Sequence, residues 1–208
     1  DTTSGTQMNR LVQGDVGCGK TVVAVAAMLL AVDSGFQAAF MAPTEILAEQ
    51  HYANLVRYLH PLGLRTDLLL GRQTKKEKET ILARAKTGQA HVVVGTHALI
   101  QDTVDFRKLG MAVVDEQHRF GVMQRAQMFA KGDRPHILLM TATPIPRSLA
   151  MTLYGDLDVS VIRDMPPGRS PVKTRLLFDN RRDDMYGFVR TQIDAGRQVY
   201  VVYPLVEE

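Results

Sequence analysis

Residues 14–21, which read Gly-Asp-Val-Gly-Cys-Gly-Lys-Thr, constrain the fold of this chain more than any other segment. They match the phosphate-binding loop G-x-x-x-x-G-K-[ST], whose glycines let backbone N–H groups curl around phosphates while the lysine reaches the β and γ oxygens. A plain glycine-rich turn is the alternative, but the run 10–13 predicts a strand before the loop and 21–31 an apolar helix after it. The residues predicted to bind nucleotide phosphates are Gly14, Gly17, Cys18, Gly19, Lys20 and Thr21, of which Thr21 also joins the Mg²⁺ shell.

A second candidate site follows residues 111–114, whose apolar run Met-Ala-Val-Val is typical of a buried strand. Asp115 and Glu116 come directly after it, and the carboxyl end of such a strand faces the ligand crevice of an open α/β sheet. Asp115 is the candidate that organises Mg²⁺, and Glu116 is the candidate base that orients the attacking water. A solvated strand end is the alternative. Together with Lys20, the two acids form the predicted catalytic set of a nucleoside triphosphatase.

Bulk composition limits the classes of protein that remain. A chain of 208 residues that is 45% hydrophobic and 23% charged is long enough for one globular domain and part of another. The single cysteine excludes an internal disulfide framework, and no apolar run approaches the roughly 18 residues of a membrane span. A reducing cytoplasm without a membrane partner is therefore expected. The net charge of +3 permits nucleic-acid binding without requiring it.

Strand-like apolar runs alternate with helical stretches, which indicates an α/β fold with a mostly parallel sheet and helices on both faces. The predicted strands are 10–13, 37–41, 64–70, 91–94, 111–114, 136–140 and 159–162. The predicted helices are 21–31, 44–59, 74–86, 122–129 and 147–153. Thr44 and Thr74 are the predicted N-caps of their helices, because acids follow each of them.

A break in this pattern falls at residues 164–171, where three prolines and a glycine stop regular structure in the way of an interdomain linker. We therefore expect a first domain over 1–164, a linker over 165–171 and the start of a second domain over 172–208. The elements predicted beyond the linker are a strand over 172–178, a helix over 182–195 and a strand over 198–203. Because the chain stops just after an apolar strand, we expect the second domain to be cut early.

Three further segments follow the second, fourth and sixth predicted strands, and they decide between kinds of nucleoside triphosphatase. They are Met-Ala-Pro-Thr-Glu-Ile-Leu-Ala-Glu-Gln-His at 41–51, Val-Gly-Thr-His at 94–97 and Leu-Met-Thr-Ala-Thr-Pro-Ile-Pro-Arg at 139–147. With Asp-Glu-Gln-His at 115–118 they resemble motifs Ia, Ib, II and III of superfamily 2 helicases. Over nearly the whole chain the match is closer to the RecG family of bacterial ATP-dependent branch-migration helicases, through D-E-Q-H-R-F-G and T-A-T-P-I-P-R.

The nearest alternative is the transcription-repair coupling factor Mfd, whose motor shares H-R-F-G and T-A-T-P-I-P-R. Gln117 and the run 42–49 favour the RecG family over it. Cys18 departs from the small residue, such as Ser, that RecG proteins usually have there. A different P-loop enzyme, such as a recombinase or a transporter ATPase, would lack these segments after successive strands. A nucleotide-binding module that is inactive by itself is the third alternative.

The resemblance implies a RecA-like, ATP-binding first helicase lobe of an ATP-dependent DNA helicase that acts on forks and Holliday junctions in recombination and repair. ATP and Mg²⁺ are the implied cofactors, and branched DNA is the implied partner of a bacterial cytoplasmic monomer, with a single-stranded-DNA-binding protein as a further partner. The residues implied to contact DNA are Pro43, Thr44, Gly95, Thr96 and His97. Those implied to couple the γ-phosphate state to lobe movement are Gln117, His118, Thr141 and Thr143. For each residue implied to contact DNA, the alternative is an ordinary role in a loop or a helix cap. For His118, the alternative is a core or capping role.

Two features of the family do not occur within these residues: the wedge domain that grips a junction and the second-lobe motifs that carry an arginine finger. An arginine finger contributes on the order of 10³ to 10⁵ in rate. We therefore expect the chain alone to bind ATP weakly and to hydrolyse it very slowly.

Overall fold

The computed structural model describes residues 5–116, 131–132, 134–143, 157–164 and 172–203. The helices predicted over 122–129 and 147–153 and the linker predicted over 165–171 lie outside these ranges. The chain divides into two units, Asp1–Pro167 and Gly168–Glu208. In the part of the chain that the structure describes, no helix is long and apolar enough to cross a bilayer.

The described part of the first unit is one parallel sheet with helices packed on it. The strands are β1 (Asn9–Gly14), β2 (Gln37–Met41), β3 (Thr66–Leu69), β4 (Val92–Gly95), β5 (Leu109–Val114), β6 (His136–Thr141) and β7 (Asp158–Ile162). The helices are α1 (Lys20–Asp33), α2 (Glu45–Leu59) and α3 (Lys75–Thr87), with 3-10 turns at His60–Leu62 and His97–Ile100. The seven strands lie in the order β3-β4-β2-β5-β6-β1-β7, and every pair is parallel. The α/β prediction is confirmed.

Neighbouring residues of the central strands pack on opposite faces of the sheet, as the two-residue period of a strand requires. Phe40 packs in a buried cluster with Met28 of α1 and Leu55 of α2. The next residue, Met41, packs in a second cluster with Ile81 of α3. Helices therefore cover both faces, and β2, β4 and β5 read as nearly continuous apolar runs because both of their faces are buried.

Two threonines begin helices, as predicted. The Thr44 hydroxyl oxygen accepts a hydrogen bond from the Leu47 N–H at 3.3 Å at the start of α2. At the start of α3, the Thr74 hydroxyl oxygen accepts from the Glu77 N–H, and the Glu77 carboxylate accepts from the Thr74 N–H at 2.8 Å. This reciprocal pair is a capping box. Hydrogen bonds from the Thr74 hydroxyl and backbone N–H hold the pKa of Glu77 below its ordinary value.

The described part of the second unit contains a 3-10 turn at Asp179–Arg181 and one helix, α4 (Arg182–Asp194). The helix matches the prediction, but the strands predicted over 172–178 and 198–203 are wrong, because neither segment pairs with a strand among the described residues. A strand requires hydrogen bonds to a neighbour, which an apolar run does not supply by itself. None of residues 172–203 is buried. The assignment of this unit to a second lobe stays a prediction.

Candidate functional site

The loops after β1, β5 and β6 meet at the carboxyl edge of the sheet, because these three strands are neighbours there. Together with α2 they line a cleft of about 670 Å³. Its lining includes the predicted site residues Gly17, Gly19, Lys20, Thr21, Asp115, Glu116 and Thr143. Leu47, Gln50 and His51 of α2 also line it, and they were not predicted. The cleft therefore joins four sequence segments that are far apart in the chain.

The loop between β1 and α1 presents the amino end of a helix to the cleft. Gly17 and Gly19 have φ angles of 84° and 99°, in the left-handed region that side chains with a Cβ disfavour. Helix α1 has no side-chain cap and no acid in its first turn. The amino end of α1, with the positive end of the helix dipole, can therefore attract an anion, such as a phosphate.

The Lys20 side chain folds back over this loop. Its ammonium donates hydrogen bonds to the carbonyl oxygens of Gly14 at 2.7 Å and Asp15 at 2.9 Å. These two bonds hold a positive charge beside the loop and within the wall of the cleft. A phosphate bound in the cleft could therefore form charge-assisted hydrogen bonds with Lys20.

Gly14 and Cys18 form the base of the loop and do not line the cleft. A Cβ placed on Gly14 would lie 2.5 Å from the Cys18 sulfur and 3.1 Å from the Ile162 Cβ. The Cys18 side chain is therefore packed between the loop and the sheet. Its backbone N–H donates to the Asp15 carbonyl at 3.2 Å.

Asp115 and Glu116 enter the cleft at the end of β5. Asp115 is buried, and its N–H donates to the Met41 carbonyl oxygen of β2 at 2.9 Å. Glu116 has a φ of 48°, which is uncommon for a residue other than glycine. Backbone outliers of this kind cluster at active sites, where the surrounding structure holds them. Glu116 therefore has a backbone conformation of the kind found at functional sites.

His51 contacts Asp115 from α2. The His51 Nε2 atom lies 2.8 Å from the Asp115 Oδ2 atom, and the imidazole packs on the Phe40 ring with centroids 4.5 Å apart. The sequence carried one signal for this contact, since His51 lies about two turns after Thr44 in the segment that follows β2. The contact also requires the sheet order, which places β2 beside β5.

The oxygen donors of the cleft fit Mg²⁺. Thr21 contributes a hydroxyl, and Asp115 and Glu116 contribute carboxylates, which are the hard ligands that this ion prefers. No group of three or more His, Cys, Asp and Glu side chains that could hold a metal occurs among the described residues. The donors therefore suit an ion that shares its coordination with water and a bound phosphate, instead of an all-protein cage.

The residues predicted to contact DNA lie at the carboxyl ends of β2 and β4, which are also neighbours in the sheet. His97 is exposed and Pro43 is half-buried. Thr44 is exposed, but its hydroxyl already caps α2. This edge therefore offers an exposed imidazole and a helix start.

Gly95 and Thr96 are buried in the same edge. A Cβ on Gly95 would lie 2.5 Å from the Leu69 carbonyl oxygen, so this glycine allows β3 and β4 to approach closely. Thr96 is 1% exposed, and its hydroxyl has no hydrogen-bond partner among the described residues. In this conformation neither residue presents a side chain to solvent.

The coupling residues are described only in part. Thr141 is buried at the end of β6, and its hydroxyl oxygen accepts a hydrogen bond from the Thr143 N–H at 3.1 Å. Thr143 itself lines the cleft. Gln117 and His118 lie outside the described residues.

Comparison with known proteins gives consistent matches. Residues 2–152 match the family model of the DEAD/DEAH box helicases. An ATP-dependent DNA helicase RecG of Synechocystis sp. is 56% identical over 201 residues, which are 97% of this chain and 24% of that protein. The one of Thermotoga maritima is 52% identical over 208 residues, which are 100% of this chain and 27% of that protein. The chain thus spans about a quarter of these relatives.

A solved structure has the same fold. The structure of RecG bound to a three-way DNA junction matches with a TM-score of 0.79 and 48% identity, over 99% of this chain and 28% of that one. The identity and the fold therefore agree along the length of the chain.

Proposed function

The chain belongs to the DEAD/DEAH box helicase family, and from this premise we propose that it is the ATP-binding motor lobe of a RecG-type helicase that acts on branched DNA. The single observation that carries the proposal is the convergence of Lys20, Asp115 and Glu116 in one cleft. The RecG relatives support it through identity over nearly the whole chain. The Mfd-type motor is not favoured, because these relatives carry the RecG name.

We assign the triphosphate of ATP to the loop before α1. Backbone N–H groups of the loop and of the first turn of α1 would donate hydrogen bonds to the phosphate oxygens, and the helix dipole would add to that attraction. Lys20 would exchange its bonds to the Gly14 and Asp15 carbonyls for bonds to the β and γ oxygens. Catalysis in such a site is mainly positioning and charge neutralisation.

The acids of the cleft have different tasks in this proposal. Mg²⁺, when bound, would supply charge neutralisation to the triphosphate. Thr21 and Asp115 are the residues that would hold it, because they bring a hydroxyl and a carboxylate to the same cleft. Glu116 would orient the attacking water and accept its proton. The state of the γ-phosphate would be coupled to the movement of the lobes by four residues, which are Gln117, His118, Thr141 and Thr143.

The DNA strand is proposed to pass the ends of β2 and β4, where contacts go to phosphates and carry no sequence information. Pro43, Thr44 and His97 are the members of the predicted set that reach this surface. The buried Gly95 and Thr96 would support the loop that carries His97. A second lobe over 172–208, a monomeric state, a cytoplasmic location and a single-stranded-DNA-binding protein as partner remain part of the proposal.

The proposed function is tested in a chimera in which this chain replaces the matching segment of the Thermotoga maritima RecG. ATP hydrolysis is measured with a three-way junction and with linear duplex of the same length. The proposal predicts hydrolysis that the junction stimulates more strongly than the duplex, and loss of that hydrolysis when Lys20→Ala is introduced. Equal rates of ATP hydrolysis with the junction and with the duplex would contradict the proposal. Hydrolysis that persists in the Lys20→Ala variant would contradict it as well.

A further inference from the structure

The contact between His51 and Asp115 has no role in the function proposed above, yet it is built into the wall of the nucleotide cleft. The Nε2 and Oδ2 atoms are 2.8 Å apart, and both side chains are 13% exposed. A hydrogen bond to a carboxylate is stronger when water is largely excluded from it. This contact is therefore able to restrict how the Asp115 carboxylate is oriented.

The environment of the imidazole indicates which nitrogen carries the hydrogen. A carboxylate oxygen only accepts hydrogen bonds, so Nε2 must be the donor in this contact. The Nδ1 atom is buried, and no hydrogen-bond partner for it occurs among the described residues. Because the Phe40 ring packs against the imidazole of His51, the imidazole cannot turn freely away from Asp115. The bond therefore has a defined donor and a defined direction.

Helix α2 places this donor accurately. Its first turn is fixed by the Thr44 cap, and Ala48 is buried against the sheet between the cap and His51. The His51 contact engages the Oδ2 atom of Asp115, and Asp115 and Thr21 line the same cleft. Partners that orient a metal-binding carboxylate are worth about 10- to 100-fold in metal affinity or activity.

We propose that His51 is a positioning residue, which holds the Asp115 carboxylate in the orientation that serves the Mg²⁺ shell of bound ATP. The proposal rests on the proposed function, because it requires that the cleft binds Mg²⁺ and nucleotide together. His51 touches neither the nucleotide nor the metal in this assignment; it acts through Asp115. The competing explanation is that His51 only fills space beside Phe40.

Two substitutions separate these explanations. His51→Gln places an amide N–H as many bonds from Cα as Nε2 is, so it keeps a donor for Asp115 and loses the ring. His51→Phe keeps a ring against Phe40 and loses the donor. A positioning role predicts that Gln substitutes for His and Phe does not, whereas a packing role predicts the reverse.

The experiment measures binding of a fluorescent ATP analogue to the 208-residue chain, once with Mg²⁺ and once with EDTA. For wild type, Mg²⁺ should strengthen binding. His51→Phe should lose about tenfold of the affinity in Mg²⁺ and keep the affinity in EDTA, as expected for a lost metal-orienting partner. His51→Gln should remain within about threefold of wild type in both conditions. Thermal unfolding of each variant confirms that it is folded.

A second measurement needs no nucleotide. Long-range ¹H–¹⁵N NMR spectra distinguish which imidazole nitrogen carries the hydrogen, and His51→Gln identifies the His51 signals by their loss. The proposal predicts a hydrogen on Nε2 of His51. A ring with its hydrogen on Nδ1 and none on Nε2 contradicts it.

The outcomes separate failure of this proposal from failure of the proposed function. Wild-type affinity of His51→Phe in Mg²⁺, or equal losses in His51→Gln and His51→Phe, contradicts the positioning role and leaves the nucleotide site intact. A loss for His51→Phe that is as large in EDTA as in Mg²⁺ also contradicts it. If the wild-type chain binds no nucleotide, the proposed function fails and the positioning role fails with it.

Discussion

The carboxyl edge of the sheet has two sides that use their residues differently. On the nucleotide side, which is the loops after β1, β5 and β6, the charged groups of Lys20 and Asp115 line one cleft. On the strand side, which is the loops after β2 and β4, Gly95 and Thr96 are buried and the Thr44 hydroxyl caps a helix. Residues of the strand side therefore also stabilise the fold. Those of the nucleotide side are placed mainly to bind a ligand.

This difference predicts the sizes of mutational effects. A charge that meets phosphate in a cleft contributes far more than one exposed contact to a DNA backbone, where many weak contacts share the binding energy. Substitutions on the nucleotide side should therefore cost the most, and those on the strand side should be modest.

The largest effect is expected for Lys20→Ala. Removing the ammonium that would meet the β- and γ-phosphates should cost about 3 kcal/mol, which is more than 100-fold in ATP affinity. Titration of the 208-residue chain with a fluorescent ATP analogue measures this loss. Lys76→Ala, on the exposed surface of α3, is the matched control and should bind as wild type does. Equal ATP affinities of the two variants would contradict the assignment of residues 14–21 as the phosphate-binding loop.

Glu116→Gln should lower the rate of ATP hydrolysis without lowering ATP affinity, unlike Lys20→Ala. The amide keeps the shape of the side chain but cannot accept the proton of water, so hydrolysis by the chimera should fall by about 10²- to 10⁴-fold. Affinity for Mg·ATP should stay within a few-fold. Glu79→Gln on α3 is the control for the loss of one exposed charge. A comparable loss of binding and hydrolysis would contradict the division of roles between Asp115 and Glu116.

Gly14→Ala tests the base of the loop. The new methyl group would lie 2.5 Å from the Cys18 sulfur, so the loop must shift and ATP affinity should fall by about tenfold. Cys18→Ala in the same chain should restore part of the affinity, because it removes the sulfur, which is the nearest atom to the new methyl group. If the double variant binds no better than Gly14→Ala, the sulfur is not what opposes the methyl group.

On the strand side, His97→Ala should have a smaller effect. Loss of one phosphate contact should weaken junction binding by the chimera by a few-fold, or about 1 kcal/mol. ATP affinity without DNA should not change. His60→Ala, at an exposed position away from this edge, is the control. Should His97→Ala leave junction affinity unaltered while impairing ATP binding, the two sides of the edge have been assigned wrongly.

The smallest functional effect belongs to Thr74→Ala, which lies on neither side. Loss of the cap should lower the free energy of unfolding by about 1 kcal/mol near neutral pH, with ATP affinity unchanged. The pKa of Glu77 is lowered by folding, so its contribution is present above the unfolded value of 4.5 and is lost as the pH falls through the folded value. Urea unfolding should therefore show the gap between wild type and variant narrowing below pH 4.5, and a widening gap would contradict the capping box.

The sequence predicted the regular elements of the first unit to within two residues of each described end, because long apolar runs and capping threonines mark them directly. It also brought Lys20, Asp115 and Glu116 to one edge of the sheet, since parallel strands share their carboxyl edge. The contact of His51 with Asp115 was missed, because it depends on β2 lying beside β5, which the order along the chain does not reveal. Likewise, the run 172–178 is apolar enough for a strand but has no partner strand in the part of the chain that the structure describes.

The central claim is that nucleotide phosphates bind in the cleft formed after β1, β5 and β6. The most direct test is a crystal structure of the chain with Mg²⁺ and a non-hydrolysable ATP analogue. The account predicts phosphate oxygens bonded to the N–H groups at the start of α1, and Lys20 transferred from the Gly14 carbonyl to phosphate. A nucleotide bound elsewhere, such as in the cavity of about 790 Å³ beside Leu29 and His91, with Lys20 still bonded to Gly14, would contradict it.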